Sequence, residues 1–166
     1  MKKKDQLGFS LIELLIVVCI IGIIASIAIP NLLSSRRAAN EASATSAMRT
    51  VSSAEATYLA TSGSNTNYGT TAQLFSQQLI DTVLSSAHTP GTTPKAGYLY
   101  QTTVTLAAVG VPSSYVEGGR PVAFGTVTAT GTRNFCVIED GVVRFGAAAA
   151  ANVTTSAACT AYTPIR

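Results

Sequence analysis

Hydrophobic positions fall into three regimes along the chain. From Phe9 to Ile29 the sequence reads FSLIELLIVVCIIGIIASIAI, 21 residues that contain one charge, Glu13. A helix of that length rises about 31 Å, enough to cross the hydrocarbon of a bilayer. Beyond Pro30 the composition turns to Ala, Ser, Thr and Arg. Ala44, Ala47, Val51, Ala54 and Tyr58 recur at three- and four-residue spacing, which predicts one narrow apolar face on a helix over 31–61. Met48 sits beside that face as a core candidate, whereas Arg36, Arg37, Glu41, Arg49 and Glu55 read as its solvated side. The two stretches together predict one helical element of about fifty residues, with Pro30 as a kink because proline removes a hydrogen bond from the previous turn.

A polar, turn-rich loop follows at Thr61–Thr70, and then a weakly helical stretch at 71–86 with Leu74, Phe75, Leu79, Ile80, Val83 and Leu84 as its apolar positions. From Ala96 the period changes to two. Tyr98, Tyr100, Thr102 and Val104 mark one strand, Pro121–Ala129 a second and Arg133–Ile138 a third. Asp140-Gly141 is a hairpin signal leading into Val142–Phe145, while Gly118-Gly119 reads as a turn. The fold class that follows is α+β: a long N-terminal helix, half membrane-like and half amphipathic, packed on a C-terminal antiparallel sheet of about three to four strands.

Composition narrows the function classes. Charged residues are 11% of the chain, under half of the ~25% usual in soluble domains, and mean hydropathy is +0.34. A nucleic-acid binder needs clustered Lys and Arg, and a disordered chain needs low hydrophobicity, so neither fits. Of the net charge of +3, much resides in Lys2, Lys3 and Lys4. This basic leader predicts a cytoplasmic N-terminus and an exported C-terminal part. His88 is the single histidine and lies beside the turn signal Thr89-Pro90-Gly91, which reads as a surface position. One histidine and scattered acids make a catalytic triad or metal centre unexpected, and no enzyme activity, cofactor or metal is predicted. Cys19 reads as a small apolar residue, and Cys136 and Cys159 are too far from it for a zinc knuckle. Asn152-Val153-Thr154 fits a glycosylation sequon, a tripeptide that often arises by chance.

The junction Gly8-Phe9-Ser10-Leu11-Ile12-Glu13, after a short Lys-rich leader and before the apolar run through Gly22 and Ile29-Pro30, resembles the class III signal of type IV pilins and of the related pseudopilins of type II secretion. The resemblance implies a pilin fold divided into a leader at 1–8, a transmembrane and filament-core helix at 9–30, an amphipathic helix at 31–61, a variable loop region at 62–95 and a sheet region at 96–166. It implies cleavage after Gly8 by prepilin peptidase and N-methylation of Phe9. It also implies assembly roles for Phe9, Glu13, Gly22 and Pro30, with Glu13 meeting the Phe9 amine of a staggered neighbour and Gly22–Pro30 as a flexible stretch. A disulfide between Cys136 and Cys159 is implied likewise, closing the tail with about 3 kcal/mol of chain-entropy stabilisation; two unpaired thiols are the alternative.

The implied partners are further copies of the chain in a helical filament, the inner membrane, prepilin peptidase and the inner-membrane assembly machinery, with no nucleic-acid site evident. The subunit would reside in the inner membrane and then in an extracellular pilus serving adhesion, motility or DNA uptake. Calcium-binding pseudopilins rely on acidic loops, and here only Glu139 and Asp140 stand together. A rival reading is a soluble secreted binding domain cut after Ser26-Ile27-Ala28, under which Glu13 has no purpose.

Overall fold

The computed structural model describes residues 9–88 and 93–165. The leader, including Gly8, and the turn signal at 89–91 lie outside the described residues. One compact unit ends at Ser35 and a second begins at Arg36. Helix α1, Leu11–Thr61, contributes to both as a single 51-residue helix that continues through Pro30.

In the first unit α1 is apolar all round. Each large apolar side chain from Phe9 to Leu32 keeps more than half of its surface exposed. Polar side chains inside this stretch are satisfied along the helix: Ser26 Oγ donates to the Ile23 carbonyl at 2.7 Å, and Asn31 Nδ2 donates to that of Ile27 at 3.1 Å.

In the second unit the narrow face of α1 is the centre of a core. Ala44, Ala47, Met48, Val51, Ala54 and Tyr58 are all buried, as their spacing predicts. Over them lies an antiparallel meander of β1 (Tyr98–Thr105), β2 (Ser114–Pro121), β3 (Arg133–Ile138), β4 (Arg144–Ala147) and β5 (Thr163–Pro164), in that order across the sheet. The sheet therefore has five strands rather than three or four, because the chain end adds a two-residue strand against Arg144 and Phe145. Tyr98, Tyr100, Tyr115, Phe135 and Val137 face the helix. Val116, Cys136 and Ile138 form a second cluster with Val153 and Cys159 of the tail. A helix covers one face and the tail, with α4 (Ser156–Thr160), covers the other.

The pair Gly118-Gly119 is a correction to the turn expected there: both residues lie inside β2. The reason is steric. A Cβ on Gly119 would sit 2.5 Å from Met48 Cε of α1, and one on Gly118 would sit 2.4 Å from the Val153 carbonyl oxygen of the tail. Successive residues point to opposite faces of a strand, so the two glycines admit the helix on one side and the tail on the other.

The strand expected at 121–129 is also absent. After Pro121 the chain forms a loop, held by Thr130, whose Oγ1 donates to the Gly97 carbonyl at 2.8 Å and accepts from the Ala123 N–H at 3.2 Å. Asn40 Nδ2 of α1 donates to the Thr130 carbonyl at 2.9 Å, and Arg37 Nη2 donates to that of Val127 at 2.7 Å. Arg37, expected on the solvated face, and Asn40 thus hold this loop. Between α1 and the sheet, the weakly helical stretch resolves into α2 (Thr71–Ser76), closed by a Thr70–Gln73 capping box, and α3 (Thr82–Ala87), capped by Asp81. Leu74, Ile80 and Leu84 are buried, whereas Phe75 and Val83 are exposed.

Candidate assembly segment

The N-terminal end of α1 begins with a local cap. Ser10 precedes the first helical residue, and its backbone N–H donates to Glu13 Oε2 at 2.9 Å. Glu13 is the third residue of the helix, the position from which a carboxylate reaches back to an open N–H of the first turn. It is the single acidic residue in that turn, where negative charge is favoured by the helix dipole. Phe9 precedes the cap and is 88% exposed. Around them lies a helical surface apolar enough to cross a membrane, with a mean hydropathy of 3.0 in its most apolar window.

Gly22 has open space around it: a Cβ there would meet nothing within 4 Å in the described structure. Among the described residues, no contact therefore requires glycine at that position. Pro30 leaves the Ser26 carbonyl without its usual helical donor, since proline carries no N–H. Both positions keep an uninterrupted helix.

Glu13, Gly22 and Pro30 thus share one helix, and Phe9 lies two residues before its start. Cys136 and Cys159 belong to the second unit, where they are joined by a disulfide with a Cα–Cα distance of 5.9 Å. That bond ties α4 and the tail to β3, over Val116, Ile138 and Val153. Asn152 of the possible sequon is half-buried, and its Oδ1 is enclosed without a hydrogen-bond partner in the structure. Among the described residues no group of His, Cys, Asp and Glu is placed to hold a metal ion.

Two placements overturn the surface positions expected from sequence. His88 has a side chain only 5% exposed and pairs through Nε2 with Oε1 of fully buried Glu117 at 2.8 Å. Glu55 is fully buried on α1, where its Oε2 accepts the Gly69 N–H at 2.8 Å while Oε1 has no partner. Burial pushes the Glu55 carboxyl up to about 7; the Gly69 hydrogen bond opposes this and the nearby charge of Glu117 adds to it. Burial works against the charge on His88, but the Glu117 carboxylate more than offsets it and holds the imidazole above its ordinary value. Neither placement has a local signal. Glu55 lies at helical spacing from Val51 and Tyr58, which could have suggested the buried face, but the group it bonds is 14 residues away.

The chain thus opens on an apolar helix long enough to cross a membrane, which starts at a capping glutamate and runs on into the α+β second unit. Residues 3–29 match the prokaryotic N-terminal methylation motif. Over 38 residues the chain is 55% identical to PilA4, the type IV wide pilus major component of Thermus thermophilus, a match that covers 23% of this chain and 29% of that protein. Over 46 residues it is 41% identical to core protein G of the type II secretion system of Aeromonas hydrophila, covering 28% of this chain and 32% of that protein. The chain spans about three tenths of the length of these curated relatives. No solved structure matches it. The N-terminal segment of the chain is thus similar to that of type IV pilins and of type II secretion pseudopilins.

Proposed function

We propose that the chain is the structural subunit of a type IV pilus, made as a precursor, cut after Gly8, N-methylated at Phe9 and polymerised through residues 9–30. The observation that carries this reading is the single carboxylate of Glu13 at the head of an otherwise apolar, uncovered helix. A carboxylate in such a run costs roughly 2.5–3.5 kcal/mol on insertion scales when placed centrally and less near the interface. Its retention calls for a partner. Cleavage before Phe9 creates a cationic amine four residues from Glu13, and in a bundle of staggered copies the amine of one chain reaches the carboxylate of the next.

Leaving one member of such a pair buried and alone costs about 3–5 kcal/mol, so pairing selects the correct axial stagger. Within the single chain, the Ser10 N–H holds the same carboxylate. Assembly therefore exchanges a local cap for an intermolecular ion pair. The apolar surface serves twice, first against lipid with the C-terminal unit outside the inner membrane and then against other copies in the filament. Gly22–Pro30 supplies the part of the helix that can extend during this transfer, since Gly22 has the weakest helix propensity and Pro30 lacks a donor. The chain acts as building material, not as an enzyme; prepilin peptidase and the assembly machinery of the inner membrane are its partners, and adhesion, motility or DNA uptake are the duties of the fibre.

A second reading, a pseudopilin of a type II secretion system, is favoured by the similarity to core protein G. Shearing cells and imaging the released material separates the two. Long surface fibres that disappear when this gene is deleted, with protein secretion intact, support the pilus. Loss of secretion with no change in surface fibres supports the pseudopilin and overturns the pilus reading.

A further inference from the structure

A polar cluster buried in the second unit joins elements that assembly through α1 does not use. His88 closes α3, and its Nδ1 lies 2.7 Å from the Leu84 carbonyl oxygen. That oxygen can only accept, so Nδ1 carries a hydrogen. Nε2 faces Glu117 Oε1 on β2 at 2.8 Å. The other carboxylate oxygen, Oε2, accepts from Thr102 Oγ1 of β1 at 2.6 Å, and Thr102 accepts in turn from Thr71 Oγ1 of α2 at 3.0 Å. With the Nδ1 hydrogen committed, the His88–Glu117 contact needs a further proton, carried on Nε2 or on Oε1. Without it a ring lone pair faces a buried carboxylate, and the contact turns repulsive.

We propose that His88 and Glu117 form a proton-dependent latch that holds α2 and α3 against the sheet, closed at acidic to neutral pH and released as the pH rises. The surroundings favour that sense. On β1, the Tyr100 ring stacks on the imidazole with centroids 5.6 Å apart. Tyr100 and Tyr115, on β1 and β2, are both held neutral by burial and by the Glu117 carboxylate, with Glu55 acting also on Tyr115. From α1, Glu55 adds its charge to that of Glu117 once it ionises, so a second buried carboxylate then needs neutralising. Arg120 of β2 lines the same cavity of about 530 Å³ as His88, which opens beside the latch between β1 and the tail. At the start of α3, Asp81 caps the helix and pairs with Lys95 at 2.7 Å, which holds the Asp81 carboxyl below its ordinary value.

A histidine whose pKa is higher in the folded than in the unfolded chain contributes stability that is complete below the unfolded value and is lost as pH rises through the folded one. Glu55 has the same sign, its contribution fading between the ordinary carboxylate range and about 7. Both groups loosen the same region in the same direction. The proposal does not depend on the assembly reading, since it concerns the second unit alone.

Because His88 is the one histidine of the chain, its ring resonances are unambiguous in the full-length protein in detergent micelles. The experiment follows them from about pH 5.5 to about pH 9 together with hydrogen-exchange protection factors along the chain. The expected result is a His88 midpoint above the ordinary histidine value. Protection in α2 and α3 should fall as the pH rises from the ordinary histidine value to that midpoint, by up to about tenfold per pH unit, and level off above it, while β3 and β4 hold. In His88→Gln the His88 part of this dependence should disappear, leaving only the Glu55 contribution below about pH 7. A His88 midpoint at or below the ordinary value, or protection in α2 and α3 that is flat through the titration, overturns the latch. So does an unaltered pH dependence in His88→Gln. If that variant does not fold, the wild-type titration alone decides.

Discussion

Helix α1 carries two sequence logics on one backbone. Up to Ile29 it is apolar on nearly every side with its large side chains exposed, whereas from Arg36 it is mostly polar with one buried stripe of small residues. Among the described residues, the side-chain hydrogen bonds of the first half are local ones along the helix, and its apolar surface suits lipid. The second half is complete: its stripe is covered by the sheet, and the sheet's other face is covered by a tail held by a disulfide. Helix propensity alone does not separate the halves; the distribution of apolar side chains around the axis does. The half that matches the prokaryotic N-terminal methylation motif is the uncovered one.

The largest effect that would break this contrast belongs to Glu13. Glu13→Val should leave membrane insertion and the second unit intact while abolishing fibre growth, as judged by electron microscopy of cells and by the protein left in membranes. Next comes the disulfide. Cys136→Ser should lower the stability of the second unit by about 3 kcal/mol, read by thermal unfolding of the full chain in micelles, and leave the first unit's helicity unchanged. Glu55 then sets a pH slope: raising the pH from about 5 to about 8 should cost on the order of 2 kcal/mol in that unit, because the proton is held more tightly in the folded state. Glu55→Gln should flatten the Glu55 part of the slope, and an unchanged profile would show that Glu55 does not titrate there.

Two glycines sharpen the comparison further. Gly118→Ala drives a Cβ into the Val153 carbonyl and should cost about 1–3 kcal/mol, seen as earlier unfolding of the second unit. Gly22→Ala meets nothing and should leave the unfolding temperature of that unit where it was, the smallest effect of the series. Equal destabilisation by the two would mean that the first unit is packed against protein after all.

Legibility in the sequence follows the same division. The apolar run, the stripe from Ala44 to Tyr58, β1, and β3 at Arg133–Ile138 all follow local periodicity, and the structure has them where that periodicity places them. The hairpin signal at Asp140-Gly141 also holds, with Gly141 at φ 70°. What failed depends on distant partners. Gly118-Gly119 looks like a turn until Met48 and Val153 are known to close on either side. The alternation after Pro121 looks like a strand until Arg37, Asn40 and Thr130 tie the segment into a loop. His88 and Glu117 are 29 residues apart, and neither has a neighbour in sequence that announces a buried ion pair. The N-terminal motif was legible because it is contiguous, and the polar cluster was not because it exists only after folding.

The account rests on the N-terminal helix being retained and placed in a fibre after the leader is removed. Intact-mass and N-terminal fragment spectra of the native protein, taken in parallel from membranes and from material sheared off cells, test this directly. The account predicts a chain in the sheared fraction that begins at N-methylated Phe9 and carries the Cys136–Cys159 disulfide. A chain that begins near Ile29 and is free in the medium would contradict it, because the helix assigned to the fibre core would then have been discarded.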